Sequence, residues 1–109
     1  MYVSITGLKP KSLFQVPRFW WHAIRSMQQA QRAPGNLSVA ARTIAGTHHT
    51  MSLWQDRRAM CAYLAAGAHR DAMRASRSIG TGAVHGYESD AAPEWADVPA
   101  LLRANGRII

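Results

Sequence analysis

Histidine is the residue type in this chain best suited to chemistry near neutral pH, because its imidazole ring gains or loses a proton there. His69 follows Gly67 in a predicted helix and shares a helix face with Met73. In that position a ring nitrogen could ligate a heme iron or act as a general base. The alternative is a structural role, in which His69 caps a broken helix or bonds to a carbonyl. His69 is therefore the first candidate both for catalysis and for cofactor binding.

Two further histidines, His48 and His49, are adjacent in a predicted strand. Neighbouring strand residues point to opposite faces of a sheet, so the two rings cannot jointly hold one metal ion. We expect one of them to line a cavity while the other packs under a helix, and His48 is the second catalytic candidate. His22 lies on the polar face of the first predicted helix, where we expect it to be solvated. No Cys/His spacing resembles a zinc finger, and no metal site is predicted.

Two tryptophans are candidates for ligand contacts. Trp54 closes the third predicted strand, where it could contact a cofactor or a ligand, although a place in the core or in a dimer interface is the alternative. Trp21 lies off the apolar stripe of the first helix, one turn from Arg25, and the two could form a cation–π pair or a lid over a ligand. The alternative for Trp21 is contact with the C-terminal segment, for example with Trp95. The predicted ligand cavity therefore comprises Trp21, Arg25, Trp54 and Met73.

Composition limits the classes of function. The 109 residues carry a net charge of +7, but the eleven arginines are spread along the chain rather than clustered. Solvated helix faces explain this spread better than an anionic ligand or nucleic acid, so nucleic-acid binding is not predicted. The one cysteine, Cys61, is predicted to be a small core residue. No signal peptide and no membrane span are predicted, and we expect a cytoplasmic protein.

Alternation and helical spacing predict the order strand, helix, strand, strand, helix, strand. Asp56 is a good N-cap for the second helix, and Gly46 marks a turn between two strands. This order is typical of an α+β, ferredoxin-like βαββαβ fold, a four-stranded antiparallel sheet with two helices on one face. We predict a single domain over residues 1–109, with a core at 2–90 and a C-terminal extension at 91–109. The predicted elements are strands at 2–6, 37–44, 47–55 and 83–89, helices at 17–32 and from 56 onward, and a short helix at 94–102.

A sheet with both helices on one face leaves its other face bare. Trp54, together with Val39 or Leu37 and their neighbours, is predicted to lie on that bare face, where these residues would form an exposed apolar patch. Packing two such sheets together would bury both patches. We therefore predict a homodimer, in the form of a dimeric α/β barrel that encloses a small apolar ligand.

The stretch Trp54-Gln55-Asp56, followed by Met60, Tyr63-Leu64, Gly67-Ala68-His69 and Met73, resembles the dimeric α/β-barrel proteins of the antibiotic biosynthesis monooxygenase-like superfamily. Within that group it is most similar to the small proteins related to spheroidene monooxygenase and to an uncharacterised family allied with them. The resemblance implies a monooxygenase-like enzyme acting on a polycyclic or isoprenoid substrate, either without a cofactor or with heme. In the first case His69 or His48 would be the base, and in the second His69 would be the axial ligand. The alternative is a non-catalytic dimer that binds a small ligand.

Overall fold

The computed structural model describes residues 1–65, 67, 70–71, 74–75 and 79–108. This part of the chain holds five strands and three helices, together with single turns of 3-10 helix at Leu13–Gln15 and Trp95–Asp97. None of these helices is both long enough and apolar enough to cross a membrane. The elements in chain order are β1 (Tyr2–Pro10), α1 (Val16–Arg32), β2 (Asn36–Ile44), β3 (Thr47–Trp54), α2 (Arg57–Leu64), β4 (Gly80–Glu88), α3 (Val98–Asn105) and β5 (Arg107–Ile108).

The strands form one antiparallel sheet in the order β2-β3-β1-β4-β5. This is the predicted α+β, ferredoxin-like arrangement, with one difference. The sheet has five strands rather than four, because residues 107–108 pair with β4 after α3 ends. Residues 7–10, predicted as a loop, instead continue β1, since they pair with residues 80–83 of β4.

Helices α1 and α2 cover one face of the sheet, which we call the helix face. Trp54 lies on this face and is fully buried, with its ring 5.0 Å from that of Tyr63 in α2. Val39 packs against the same core cluster. The prediction that Trp54 and Val39 lie on a bare face is therefore wrong. The alternation was predicted correctly, but alternation does not say which of the two faces the helices cover.

The opposite face of the sheet, which we call the outer face, is covered by the C-terminal segment. Val3, Ile5 and Met51 are buried there against Val98 and Leu102 of α3. The outer face is thus not bare. The homodimer was predicted from a bare apolar sheet face, and the part of the chain that the structure describes does not have one. Dimerisation itself stays a prediction.

The two N-terminal helices begin where local chemistry favours it. Pro17 occupies the first turn of α1, where its missing N–H costs nothing. Asp56 caps α2 as predicted, because its side chain accepts a hydrogen bond from the Ala59 N–H at 2.8 Å. The buried positions of α2 are Met60 and Tyr63. Cys61, predicted to be in the core, is exposed on this helix.

Leu102→Ala tests whether α3 holds the outer face closed. We expect it to lower the free energy of unfolding by about 2–4 kcal/mol, because a buried leucine is replaced by a cavity. Urea denaturation measures the change. Arg103→Ala, at the exposed neighbouring position, is the matched control and should change stability by less than about 0.5 kcal/mol. Equal effects of the two substitutions would show that α3 is not docked on the sheet.

Candidate functional site

A cavity of about 130 Å³ lies between the helix face of the sheet and the helices α1 and α2. Its walls are mainly apolar side chains, with a few hydroxyl groups and two imidazoles. Its volume is close to the roughly 150 Å³ of an apolar cavity that holds one benzene ring. The residues that line it are Ser4, Thr6, Gly7, Leu8, Phe19, His22, Ala23, Ser26, Met27, Ala30, Val39, His48, Thr50, Ser52, Met60, Tyr63, Leu64 and Ile79.

Three neighbouring side chains hold the ring of His48 on the cavity wall. It stacks on Phe19, with ring centroids 4.6 Å apart, and meets the edge of Trp20 at 5.2 Å. Its Nδ1 is hydrogen-bonded to the Thr43 hydroxyl at 2.8 Å. When Nδ1 carries the proton and donates it to Thr43, Nε2 has a free lone pair, and no hydrogen-bond partner for Nε2 lies within the described part of the chain.

Burial lowers the pKa of His48 below its usual value, and the neighbouring His49 lowers it further. Burial removes water from around the charged form of the ring and so disfavours protonation. The imidazole is therefore neutral at pH 7, which is the state that a general base needs.

His22 lies on the opposite wall of the cavity, in α1. Its Nδ1 is buried and has no hydrogen-bond partner among the residues that the structure describes. Burial lowers its pKa, as do the charges of Arg18 and Arg25, while Asp71 acts in the opposite direction. The expectation that His22 is simply solvated is therefore wrong. The missed signal is its spacing, since His22 lies three residues after the buried Phe19 and four before the buried Ser26.

Several other polar groups of the cavity bond to one another or to nearby backbone. The hydroxyls of Thr6 and Thr50 hydrogen-bond across the strands, and Ser52 accepts a bond from the Trp54 indole N–H at 2.9 Å. The Tyr63 hydroxyl donates to the Ser26 carbonyl at 3.0 Å, and burial raises the pKa of Tyr63. Tyr63 therefore keeps its proton at neutral pH, which leaves the two histidines as the bases of the cavity.

His49 shows the contrast with its neighbour. It points to the outer face, where it is 4 % exposed, and its Nδ1–H donates to the Thr6 carbonyl at 3.3 Å. The structure thus places one of the adjacent histidines on the cavity wall and the other beneath α3, as alternation predicts.

Among the described residues of the predicted site, Trp54, Trp21 and Arg25 do not line the cavity. Trp54 lies in the core beside it and reaches it only through its hydrogen bond to Ser52. Trp21 is 57 % exposed on the outside of α1 and forms the predicted cation–π pair, with the Arg25 guanidinium 4.5 Å above its ring. Trp95, the alternative contact for Trp21, instead lies under Arg42. His69 and Met73 fall outside the described residues.

Neither a metal nor heme fits the described site. The described residues include no group of three or more His, Cys, Asp or Glu side chains that could hold a metal ion. A porphyrin is several times larger than one benzene ring, so a cavity of about 130 Å³ does not accommodate heme. The predicted role of His69 as axial ligand lies outside the described residues and stays a prediction, while Trp54 is a core residue rather than part of the cavity wall.

No protein-family model matches the sequence, and a search of curated proteins finds no relative. The fold, however, matches solved structures over most of their length. A protein from Deinococcus radiodurans, provisionally named an antibiotic biosynthesis monooxygenase, has a TM-score of 0.75 at 18% identity, covering 86% of this chain and 97% of its own. Rv0793 from Mycobacterium tuberculosis has a TM-score of 0.74 at 10% identity, covering 86% of this chain and 100% of its own.

SnoaB, a cofactor-independent oxygenase from Streptomyces nogalater, has a TM-score of 0.69 at 15% identity, covering 85% of this chain and 97% of its own. The chain thus has the fold of these proteins, as the resemblance in its sequence implied. The narrower similarity to spheroidene monooxygenase stays a prediction.

The lowered pKa values of His48 and His22 predict a specific pH response. Both rings should titrate below the value of about 6.5 that they have in the unfolded chain. Because the unfolded chain then binds more protons, stability should fall as the pH drops through and below 6.5. Imidazole NMR signals followed against pH measure the midpoints, and the chain unfolded in urea is the reference. A midpoint for His48 at or above that reference would contradict the neutral-base assignment.

Proposed function

We propose that this chain is a cofactor-independent, monooxygenase-like enzyme that acts on a small apolar substrate with an acidic O–H or C–H group. The observation that carries the proposal is the oriented, neutral imidazole of His48 on the wall of an apolar cavity. The shared fold with proteins named as monooxygenases, and with a cofactor-independent oxygenase, supports it.

The first step is a proton transfer. The substrate binds with its acidic group near His48, and Nε2 takes the proton while Thr43 holds the ring through Nδ1. The product is an electron-rich anion of the substrate. His22, with its unpartnered Nδ1 on the facing helix, offers a second polar contact that can orient the anion.

Dioxygen then reacts directly with the substrate anion. One electron pair of the substrate forms a C–O bond, which gives a hydroperoxide at the attacked carbon. The O–O bond breaks, and the hydrogen on that carbon leaves as a proton. One oxygen atom stays as a carbonyl and the other leaves as water, so the substrate supplies all four electrons that O₂ accepts. For 1-naphthol the sum is 1-naphthol plus O₂ giving 1,4-naphthoquinone plus water.

The apolar walls assist both steps. Leu8, Phe19 and Ile79 form one buried cluster beside His48, and Met60 and Tyr63 belong to another. Such walls exclude water, so the substrate anion is not stabilised by hydration and stays reactive toward O₂. The cavity volume fits a single ring, so a polycyclic or isoprenoid substrate would place only its reacting part inside.

Two further expectations belong to this proposal. His69 and Met73 are proposed to contribute to the same site, with His69 as an additional base. A homodimer is proposed as well, supported by the edge strand β2, where Leu37 is 57 % exposed. Light scattering of the purified protein tests the dimer, and His69→Ala tests the additional base.

Turnover of 1-naphthol under labelled O₂, with a metal chelator present, tests the reaction. We expect one labelled oxygen atom in the quinone.

His48→Gln should lower kcat by about a hundredfold or more, because the general base is lost, while 1-naphthol binding changes little. His85→Gln is the matched control, since His85 pairs with Ile5 and so points to the outer face. An unchanged rate in His48→Gln would exclude His48 as the base. Binding without any turnover in the wild type would favour the non-catalytic ligand-binding alternative.

Thr43→Val tests the orientation of the base. Valine keeps the shape of threonine but cannot accept the Nδ1–H bond, so the His48 ring is free to adopt the wrong tautomer. We expect kcat to fall by about tenfold with little change in KM, and imidazole rescue to be absent because the base is still present. The pH profile of kcat and KM separates this positioning role from a loss of folding. A change in KM alone would show that Thr43 only shapes the cavity.

A further inference from the structure

The side of α1 that faces away from the cavity carries large exposed apolar residues. Trp21 and Ile24 in α1 are 57 % and 51 % exposed, and Leu13 and Phe14 in the preceding turn are 87 % and 92 % exposed. The spacing of Trp21 and Ile24 places them on one side of the helix, away from the buried Phe19, and the turn that carries Leu13 and Phe14 directly precedes the helix. These four residues, Leu13, Phe14, Trp21 and Ile24, are called the outer stripe below.

Positive charge surrounds the outer stripe. Lys11 and Arg18 lie beside Leu13 and Phe14 in the chain, and the Arg25 guanidinium sits 4.5 Å above the Trp21 ring. Residues 1–55 contain six lysines and arginines and not a single Asp or Glu. The charge of Asp71 acts on His22 at the flank of α1, but Arg70 and Arg74 lie beside Asp71 in the sequence.

This charge decides what can cover the stripe. A second copy packed through the same patch would bring Arg18 and Arg25 close to their own counterparts, and like charges across an interface are strongly unfavourable. An anionic partner is favoured instead. Helices that lie in the surface of anionic bilayers typically carry arginine and lysine around exposed Trp, Phe and Leu side chains.

We propose that the outer stripe docks α1 and its preceding turn onto an anionic lipid bilayer, parallel to the surface. The four apolar side chains enter the headgroup region, and Lys11, Arg18 and Arg25 contact lipid phosphates. This proposal does not depend on the oxygenase activity. It would, however, place the cavity only one helix away from the bilayer, where apolar compounds accumulate.

Co-sedimentation with vesicles tests the docking. We expect the full chain to bind vesicles of phosphatidylglycerol and phosphatidylcholine at least about tenfold more tightly than vesicles of phosphatidylcholine alone, with binding that weakens as salt is added. Phe14→Ser/Ile24→Ser should weaken binding by about tenfold or more, because apolar area no longer enters the bilayer. Arg18→Gln/Arg25→Gln should do the same by loss of charge. Ile108→Ser is the control, since Ile108 is 80 % exposed but lies on β5.

Quenching by brominated lipids locates the contact. We expect these lipids to quench the fluorescence of the bound wild type, and Trp21→Phe to lose most of the quenching while still binding. This outcome would assign the contact to the outer stripe rather than to charge alone.

Three outcomes would overturn the proposal. One is equal binding to anionic and neutral vesicles. Another is binding that the Phe14→Ser/Ile24→Ser variant retains in full, which would indicate an attraction by charge only. The third is a dimer in the wild type that becomes a monomer in this same variant, which would make the stripe an interface between copies. Circular dichroism confirms that each variant is folded before its binding is compared.

Discussion

The pairing register between β1 and β3 is the constraint on which the rest of this structure depends. It sets Thr6 opposite Thr50 on the helix face and Ile5 opposite Met51 on the outer face. Because side chains alternate along a strand, a slip of one residue would move every one of them to the other face. Hydroxyls would then enter the apolar contact with α3, and apolar side chains would fill the cavity. Both layers of the protein, the core under α3 and the cavity under α1, therefore require this single register.

The register also gives different roles to two identical neighbours. His49 is held in a fixed place by a backbone carbonyl and by the packing of Leu102, whose side chain lies close to Gly7 next to the His49 ring. His48 instead is held by the Thr43 hydroxyl, which bonds to Nδ1, and by the rings of Phe19 and Trp20. Its Nε2 takes no part in that hydrogen bond. Both rings have a lowered pKa because both are partly removed from water. The chemistry we propose depends on the difference in hydrogen bonding rather than on any difference in residue type.

Helix α1 connects the cavity with the surface. Its inner side contributes Phe19, Ala23 and Ser26 to the cavity wall, while its outer side presents Trp21 and Ile24 to the exterior. A helix that is only structural would be polar on its outer side. The apolar residues on both sides, with arginines between them, are the basis of the proposed contact with a bilayer, and the arginines also help to keep His22 neutral.

The sequence by itself determined the local features of this protein, namely the strand alternation, the helical spacing, the Asp56 cap and the order of elements that gives a ferredoxin-like fold. These features depend on residues a few positions apart, so a linear pattern contains them. Only the tertiary structure decided which sheet face α1 and α2 cover, and hence that Trp54 is core rather than surface. It also decided that α3 closes the outer face and that His22 enters the cavity. The physical reason is that periodicity tells which residues share a face, whereas the burial of that face depends on distant segments of the chain.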